Sequence, residues 1–111
     1  MLLARQKVLV KDSSYHSYNA MNKTIEAINR VLADWNPINV PDHVATDEYR
    51  AYIPSILQSI ESRQQLIDCL TDLLINRLGT EYQTTNESHL KDLLKVADKL
   101  LESYKRTRTP Y

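Results

Sequence analysis

The chain has 111 residues, enough for one domain that buries roughly 65% of its unfolded surface. A single glycine argues against a β-sandwich or barrel, and a single cysteine, Cys69, excludes an internal disulfide and favours a reducing compartment. Charged residues interrupt the apolar run of the first twelve residues, so neither a signal peptide nor a membrane span is expected. The sequence therefore predicts a soluble, cytoplasmic protein.

The formal net charge is zero, but it is unevenly distributed. Residues 34–72 carry seven acidic side chains against Arg50 and Arg63, a balance of −5. Residues 1–33 and 95–111 each carry five basic and two acidic side chains, +3 in each case. The acidic block argues against a nucleic-acid-binding surface there. It is compatible with an idle solvated face or with capture of a basic partner.

Residues 1–20 do not follow a helical pattern. The stretch KVLVK alternates like a strand and SSYHSYN is typical of a loop. We expect an extended N-terminal arm over residues 1–20, with Met21 as an alternative start of the chain.

The first helix is expected from about residue 22 to residue 35. Its apolar residues recur at spacings of three and four and share one face: Ile25, Ile28, Leu32 and Trp35. Met21 extends that stripe and Asn22 is the expected N-cap. Pro37 ends the helix, because the residue before a proline is disfavoured in helical conformation.

The second helical segment allows two interpretations. Thr46 and Asp47 can cap a segment whose apolar residues share a face: Tyr49, Ile53, Ile56, Leu57 and Ile60. Pro54 lies inside that pattern and removes one helical hydrogen bond. We favour a helix kinked at Pro54 over a short turn at residues 47–52 followed by a helix that starts near Pro54.

The third and fourth helices have clearer boundaries. Ser62 and Gln65 form an expected capping box for a helix over residues 62–78, and Gly79 is its expected left-handed stop. Its buried stripe is Leu66, Leu70, Leu73, Leu74 and Leu78, with Ile67 beside it. Thr84 and Glu87 are the expected capping box of the last helix, about residues 86–104. Its packed residues are Leu90, Leu93, Leu94, Ala97, Leu100, Leu101 and Tyr104.

Four amphipathic helices with short connections predict an all-α, single-domain antiparallel four-helix bundle. The bundle is expected over residues 21–105, after the N-terminal arm, with residues 106–111 as a C-terminal tail.

No constellation of residues predicts catalysis. The titratable candidates are His16, His43, His89 and Cys69. Asp42 and His43, with Asp47 nearby, come nearest to a metal-binding group but lack a second histidine at helical spacing. The only glycine is a helix stop and forms no phosphate loop. We expect no enzymatic activity, no metal and no cofactor.

The candidate partner-binding residues are acidic and aromatic. Glu61, Asp68 and Asp72 fall opposite the leucine stripe of the third helix, with Gln65 among them and no lysine or arginine beside them. The loop at residues 42–49, which Pro37 and Pro41 are expected to stiffen, supplies the rest together with Tyr52: Asp42, His43, Asp47, Glu48, Tyr49 and Tyr52. We expect Trp35 to be core, and core use of one of the two tyrosines.

Three motifs carry a resemblance: Trp35-Asn36-Pro37, Asp47-Glu48-Tyr49 and the terminal Ala97-Asp98-Lys99-Leu100-Leu101. Over about residues 21–102 the chain resembles the bacterial family called domain of unknown function 1871, which has no established activity. It departs from that family in the arm and in the polar connection at residues 80–89.

In general form the chain is also similar to immunity proteins, including those of contact-dependent growth inhibition systems. That similarity implies a cytoplasmic, non-catalytic inhibitor that binds a cognate toxin, often a basic nuclease, through an acidic surface, without contacting nucleic acid or membrane. The alternative is a regulatory or assembly protein with no link to a toxin.

Overall fold

The computed structural model describes residues 21–108, and within that range every regular element is helical. The predicted all-α class is thereby confirmed. The predicted arm at residues 1–20 lies outside the described residues. No helix within residues 21–108 is long and apolar enough to cross a lipid bilayer.

Within the described residues, helix α1 covers residues 21–35. Ile28 and Leu32 are fully buried, as predicted, whereas Met21 is exposed. Asn22 lies within the helix, so its prediction as N-cap was wrong. The helix ends at Trp35 because Asn36 adopts a left-handed conformation, φ 44°, directly before Pro37.

The segment after α1 differs from the favoured prediction. Helix α2 is Asp42–Glu48 and follows Pro41, which occupies its N-cap position. The predicted loop at residues 42–49 is therefore mostly helical. Thr46 does not cap a helix, because its hydroxyl donates to the carbonyl of His43 inside α2.

A single kinked helix through Pro54 was also the wrong choice. A 3-10 turn, Arg50–Tyr52, separates α2 from helix α3, Ile53–Ser59. Pro54 lies in the first turn of α3, where a helix has no hydrogen bond for proline to remove. The rejected alternative is closer, since a short turn precedes a helix that starts near Pro54, although the turn covers residues 50–52 and not 47–52.

Helix α4, Arg63–Asp72, has the predicted N-cap, because the Ser62 hydroxyl accepts a hydrogen bond from the Gln65 amide. The reciprocal half of the capping box is not formed, since the Ser62 amide donates to the Ser59 carbonyl at 3.3 Å. It continues into a π turn, Leu73–Arg77, in which the Leu78 amide donates to the Leu73 carbonyl at 2.8 Å. Gly79 follows at φ 63°, the left-handed stop that was predicted.

Helix α5 is Glu87–Arg108 and its N-cap is Asn86, not Thr84, because the Asn86 side chain accepts from the His89 amide. The helix extends beyond the predicted end at Tyr104. Residues 106–108, which we had assigned to a tail, are therefore helical.

The core joins all five helices and the 3-10 region. Helix α4 packs against both α3 and α5. The largest fully buried side chains are Tyr49, Ile28, Leu32, Ile56, Ile60, Leu66, Leu70, Leu73, Leu93, Leu100 and Thr24. On α5, Val96 and Ser103 are buried, although neither was predicted, while Leu90 is exposed.

Two polar side chains of α1 are buried with that core. The Thr24 hydroxyl lies 2.9 Å from the Thr107 hydroxyl of α5, and the Asn29 amide donates to the Thr46 carbonyl at 2.8 Å. The Asn29 Oδ1 atom is buried without a hydrogen-bond partner in the described chain. These contacts tie α1 to α5 and to α2.

Candidate protein-binding surfaces

Tyr49 holds the connection between α1 and α2 in place. Its hydroxyl donates to Asn36 Oδ1 at 2.6 Å and accepts from the Ile38 amide at 3.3 Å. The Asn36 side chain also bonds both backbone groups of Val40, at 2.7 and 3.0 Å. This network explains how the left-handed residues Asn36 and Asn39 are retained in an ordered turn.

Tyr49 is only 1% exposed and is therefore a core residue in this structure. Its prediction as a partner-contact residue was wrong, while the expectation that one of the two tyrosines is core was right. Burial raises the pKa of the Tyr49 phenol, an effect that the hydrogen bond from the Ile38 amide opposes. Tyr52 is half-buried, and the Arg77 guanidinium lies 5.9 Å from its ring centroid.

The polar candidates on α2 are exposed: Asp42, His43, Asp47 and Glu48. Arg50 lies 2.9 Å from Glu26 on α1 and 3.6 Å from Asp47. The hydrogen bond from Arg50 lowers the pKa of Glu26, and the same bond raises the pKa of Arg50. Because these groups are largely exposed, the pairs orient side chains more than they stabilise the fold.

The carboxylates of Asp68 and Asp72 lie on the exposed side of α4, as predicted. Each accepts a hydrogen bond from a neutral amide side chain, Asp68 from Gln64 at 3.0 Å and Asp72 from Asn76 at 2.7 Å. Glu61 is exposed in the turn before α4. Amide donors leave both negative charges in place, so this side of α4 remains acidic.

The predicted residues fall into two separate groups. Helix α2 has its contacts with the 3-10 turn, and α4 has its contacts with α3 and α5. Extensive contact between α2 and α4 is not observed within the described residues. We call the α4 group, Glu61, Asp68 and Asp72, the α4 acidic face. The structure does not place the α2 carboxylates against it.

An open groove of ≈ 940 Å³ was not predicted from the sequence. It lies where the end of α1, the π turn, the connection at residues 79–86 and the start of α5 meet. Its lining residues are Trp35, Pro37, Leu74, Thr80, Glu81, Tyr82, Gln83, Asn86, His89, Asp92 and Leu93. Trp35-Asn36-Pro37 and the polar connection are both recognisable in the sequence, but no sequence pattern indicates that they lie against each other.

Side-chain contacts fix the connection that walls this groove. The Tyr82 and His89 rings stack at 5.7 Å between centroids, with 25° between their planes. The Gln83 amide donates to His89 Nδ1 at 3.1 Å, which assigns the tautomer protonated at Nε2 when the ring is neutral. Thr80 anchors the other end, because its amide and its hydroxyl both donate to the Leu74 carbonyl.

Within residues 21–108, no group of three or more histidine, cysteine, aspartate or glutamate side chains is placed to hold a metal ion. Asp42, His43 and Asp47 therefore do not form such a group. Comparison of the chain with family models, curated proteins and solved structures gave no match in any of the three.

Proposed function

We propose that this protein is a non-catalytic protein-binding module, an immunity protein that neutralises a cognate toxin, with a basic nuclease domain as the expected partner class. The observation that carries this proposal is the uncompensated charge of residues 34–72. The proposed fold is the antiparallel four-helix bundle, in which α2, the 3-10 turn and α3 together make one of the four helical segments. Two contacts support an antiparallel arrangement of α1 and α5. Thr24 in the first part of α1 contacts Thr107 near the end of α5, and Trp35 at the end of α1 lines the same groove as Leu93 in the first half of α5.

Neither arginine of this stretch neutralises the α4 acidic face. Arg63 lies 3.1 Å from Asp98 on α5, and Arg50 is shared between Glu26 and Asp47. Of the seven acids in residues 34–72, only Asp47 has an ion pair with a described residue. The other six are all exposed: Asp34, Asp42, Glu48, Glu61, Asp68 and Asp72.

An exposed, unpaired carboxylate contributes little to folding and is available to a cation from outside. Asp68 and Asp72 are four residues apart on α4, where like charges repel by a few tenths of a kcal/mol. The fold does not relieve this repulsion with a neighbouring cation in the described chain. Complementary charge on a partner would relieve it and would accelerate the encounter.

The proposal is tested by reversing the charge of the α4 acidic face. The variant Asp68→Lys/Asp72→Lys should bind the toxin domain more weakly, mainly through slower association and a reduced dependence on salt. Its melting temperature should stay nearly unchanged, because two exposed lysines at this spacing repel each other about as much as the two aspartates that they replace. The partner to use is the product of the reading frame immediately upstream, with association measured by stopped flow at several salt concentrations.

The matched control is Glu87→Lys/Glu102→Lys, which makes the same change in net charge on exposed residues of α5. Equal loss of binding in both variants would show a general effect of net charge and would contradict a localised α4 contact. An upstream product that shows no binding, together with housekeeping genes on both sides, would favour the regulatory or assembly role instead.

A further inference from the structure

We propose that the groove between α1, the 79–86 connection and α5 binds an arginine side chain of an extended protein segment. This inference does not depend on the proposed function, because it concerns a different surface from the α4 acidic face. It rests on the combination of a cavity, aromatic walls and unpaired carboxylates.

The groove presents aromatic surface that is already in position. Trp35 and Tyr82 both line it, and Tyr82 is held by its stacking on His89 and by the hydrogen bond of its amide to the Thr80 hydroxyl. Trp35 is half-buried, so its indole contributes to the core and to the groove together. Flat aromatic faces attract a guanidinium through the ring quadrupole and by stacking.

The charge of the groove also selects a cation. Its acidic lining residues are Glu81 and Asp92, and no lysine or arginine lines it. Neither carboxylate has an ion pair with a residue of the described chain. A carboxylate can accept two hydrogen bonds from a guanidinium while an aromatic ring stacks on the flat face of that guanidinium. This arrangement favours arginine over lysine.

Lys95 and Lys99 are cations that could compete for Asp92. They line a smaller cavity of ≈ 240 Å³ that shares Trp35 and Asp92 with the groove. Neither lysine lies within ion-pair distance of Asp92. Asp92 therefore keeps its acceptor capacity on the groove side.

The dimensions favour a peptide segment over an enclosed small molecule. A volume of ≈ 940 Å³ exceeds what one guanidinium needs, and the groove is open to solvent. Small-molecule sites of that volume usually enclose most of their ligand. An extended segment with its arginine between Trp35 and Asp92 would fill the groove with its neighbouring residues.

Trp35 is the only tryptophan of the chain, so its fluorescence reports binding directly. The probe is a blocked pentapeptide with a central arginine, and its matched control carries citrulline, which keeps the shape and loses the charge. We expect a saturable fluorescence change with a Kd on the order of 1 mM for arginine and at least about tenfold weaker binding of citrulline. Chemical-shift changes of Tyr82 and His89 should saturate in parallel.

The variants Asp92→Asn and Glu81→Gln should each weaken the arginine peptide about threefold or more, while Asp68→Asn on α4 should leave it unchanged. All three residues are exposed, so the fold should tolerate the substitutions. Equal binding of arginine and citrulline, equal loss in the Asp68→Asn variant, or no saturable change at Trp35 would overturn the proposal.

Discussion

Removal of one hydroxyl, by Tyr49→Phe, should destabilise the whole domain. The lost group donates to Asn36 Oδ1 at 2.6 Å and accepts from the Ile38 amide at 3.3 Å. One net hydrogen bond is worth about 1 kcal/mol, and a stranded, partly buried amide adds up to about 1 kcal/mol more. We therefore expect the free energy of unfolding to fall by about 1–2 kcal/mol, with helix α2 still formed.

Urea unfolding followed by circular dichroism measures this directly. The midpoint should shift while the dependence on urea stays the same, because the surface exposed on unfolding hardly changes. In a thermal scan, each kcal/mol corresponds to a drop of about 4–8 °C for a domain of this size. The matched control is Tyr52→Phe, since the Tyr52 hydroxyl makes no hydrogen bond to a described residue and its loss should cost less than about 0.5 kcal/mol.

A double-mutant cycle separates the specific bond from general effects. Asn36→Gly keeps the left-handed backbone accessible but removes the side-chain acceptor. If Tyr49 acts through Asn36, the double variant should be more stable than the sum of the two single changes implies, by about 0.5 kcal/mol or more. Additive losses, or a Tyr49→Phe variant as stable as the unchanged protein, would refute the assignment of this network as the clamp of the α1–α2 turn.

Three further predictions concern single positions. Burial raises the pKa of Tyr49, so the unfolded chain releases the phenol proton at a lower pH than the folded protein does. The free energy of unfolding should therefore fall as the pH rises above 10.0, the ordinary pKa of tyrosine, and urea titrations at several pH values should show a smaller fall for Tyr49→Phe. Asn86→Ala should cost about 1 kcal/mol of unfolding free energy and Thr84→Ala less than about 0.5, which distinguishes the observed cap of α5 from the one the sequence suggested. Gly79→Ala should lower the free energy of unfolding by about 1 kcal/mol through the φ of 63° alone, since nothing lies within 4 Å of the added methyl group. Gly79→Asn should lower it less, because asparagine tolerates the left-handed conformation, and equal losses would point to a cause other than backbone conformation.

The sequence predicted the helices whose signals are local. Ser62 and Gly79 mark both ends of the α4 region because a cap and a left-handed stop act within a few residues. Pro54 was ambiguous for a physical reason, since proline both interrupts a helix interior and suits a first turn. Only the surrounding packing, with Tyr49 and Ile53 both buried, decides between the two.

Features that depend on contacts between residues far apart in the sequence were less predictable, both in the core and in the candidate site. Thr24 and Asn29 look like surface residues in the sequence, but both are buried, and they bond to residues 83 and 17 positions away. The sequence predicted that one of Tyr49 and Tyr52 is core but did not say which, and the burial of Tyr49 with its hydrogen bond to Asn36 decides it. The exposure of Asp68 and Asp72 followed from helical spacing alone, which is why that part of the surface was predicted correctly.

The π turn at Leu73–Arg77 makes the length of the chain at this point as important as its composition. Leucines at a strict four-residue repeat drift by about 40° per step around an α-helix. The π turn contains about one residue more than an α-helical turn, and this extra residue brings Leu78 back toward the core. The same residues in ordinary α-helical geometry would rotate Leu78 away from the core side and would redirect the chain that enters at Gly79, so this wall of the groove depends on how many residues the turn contains.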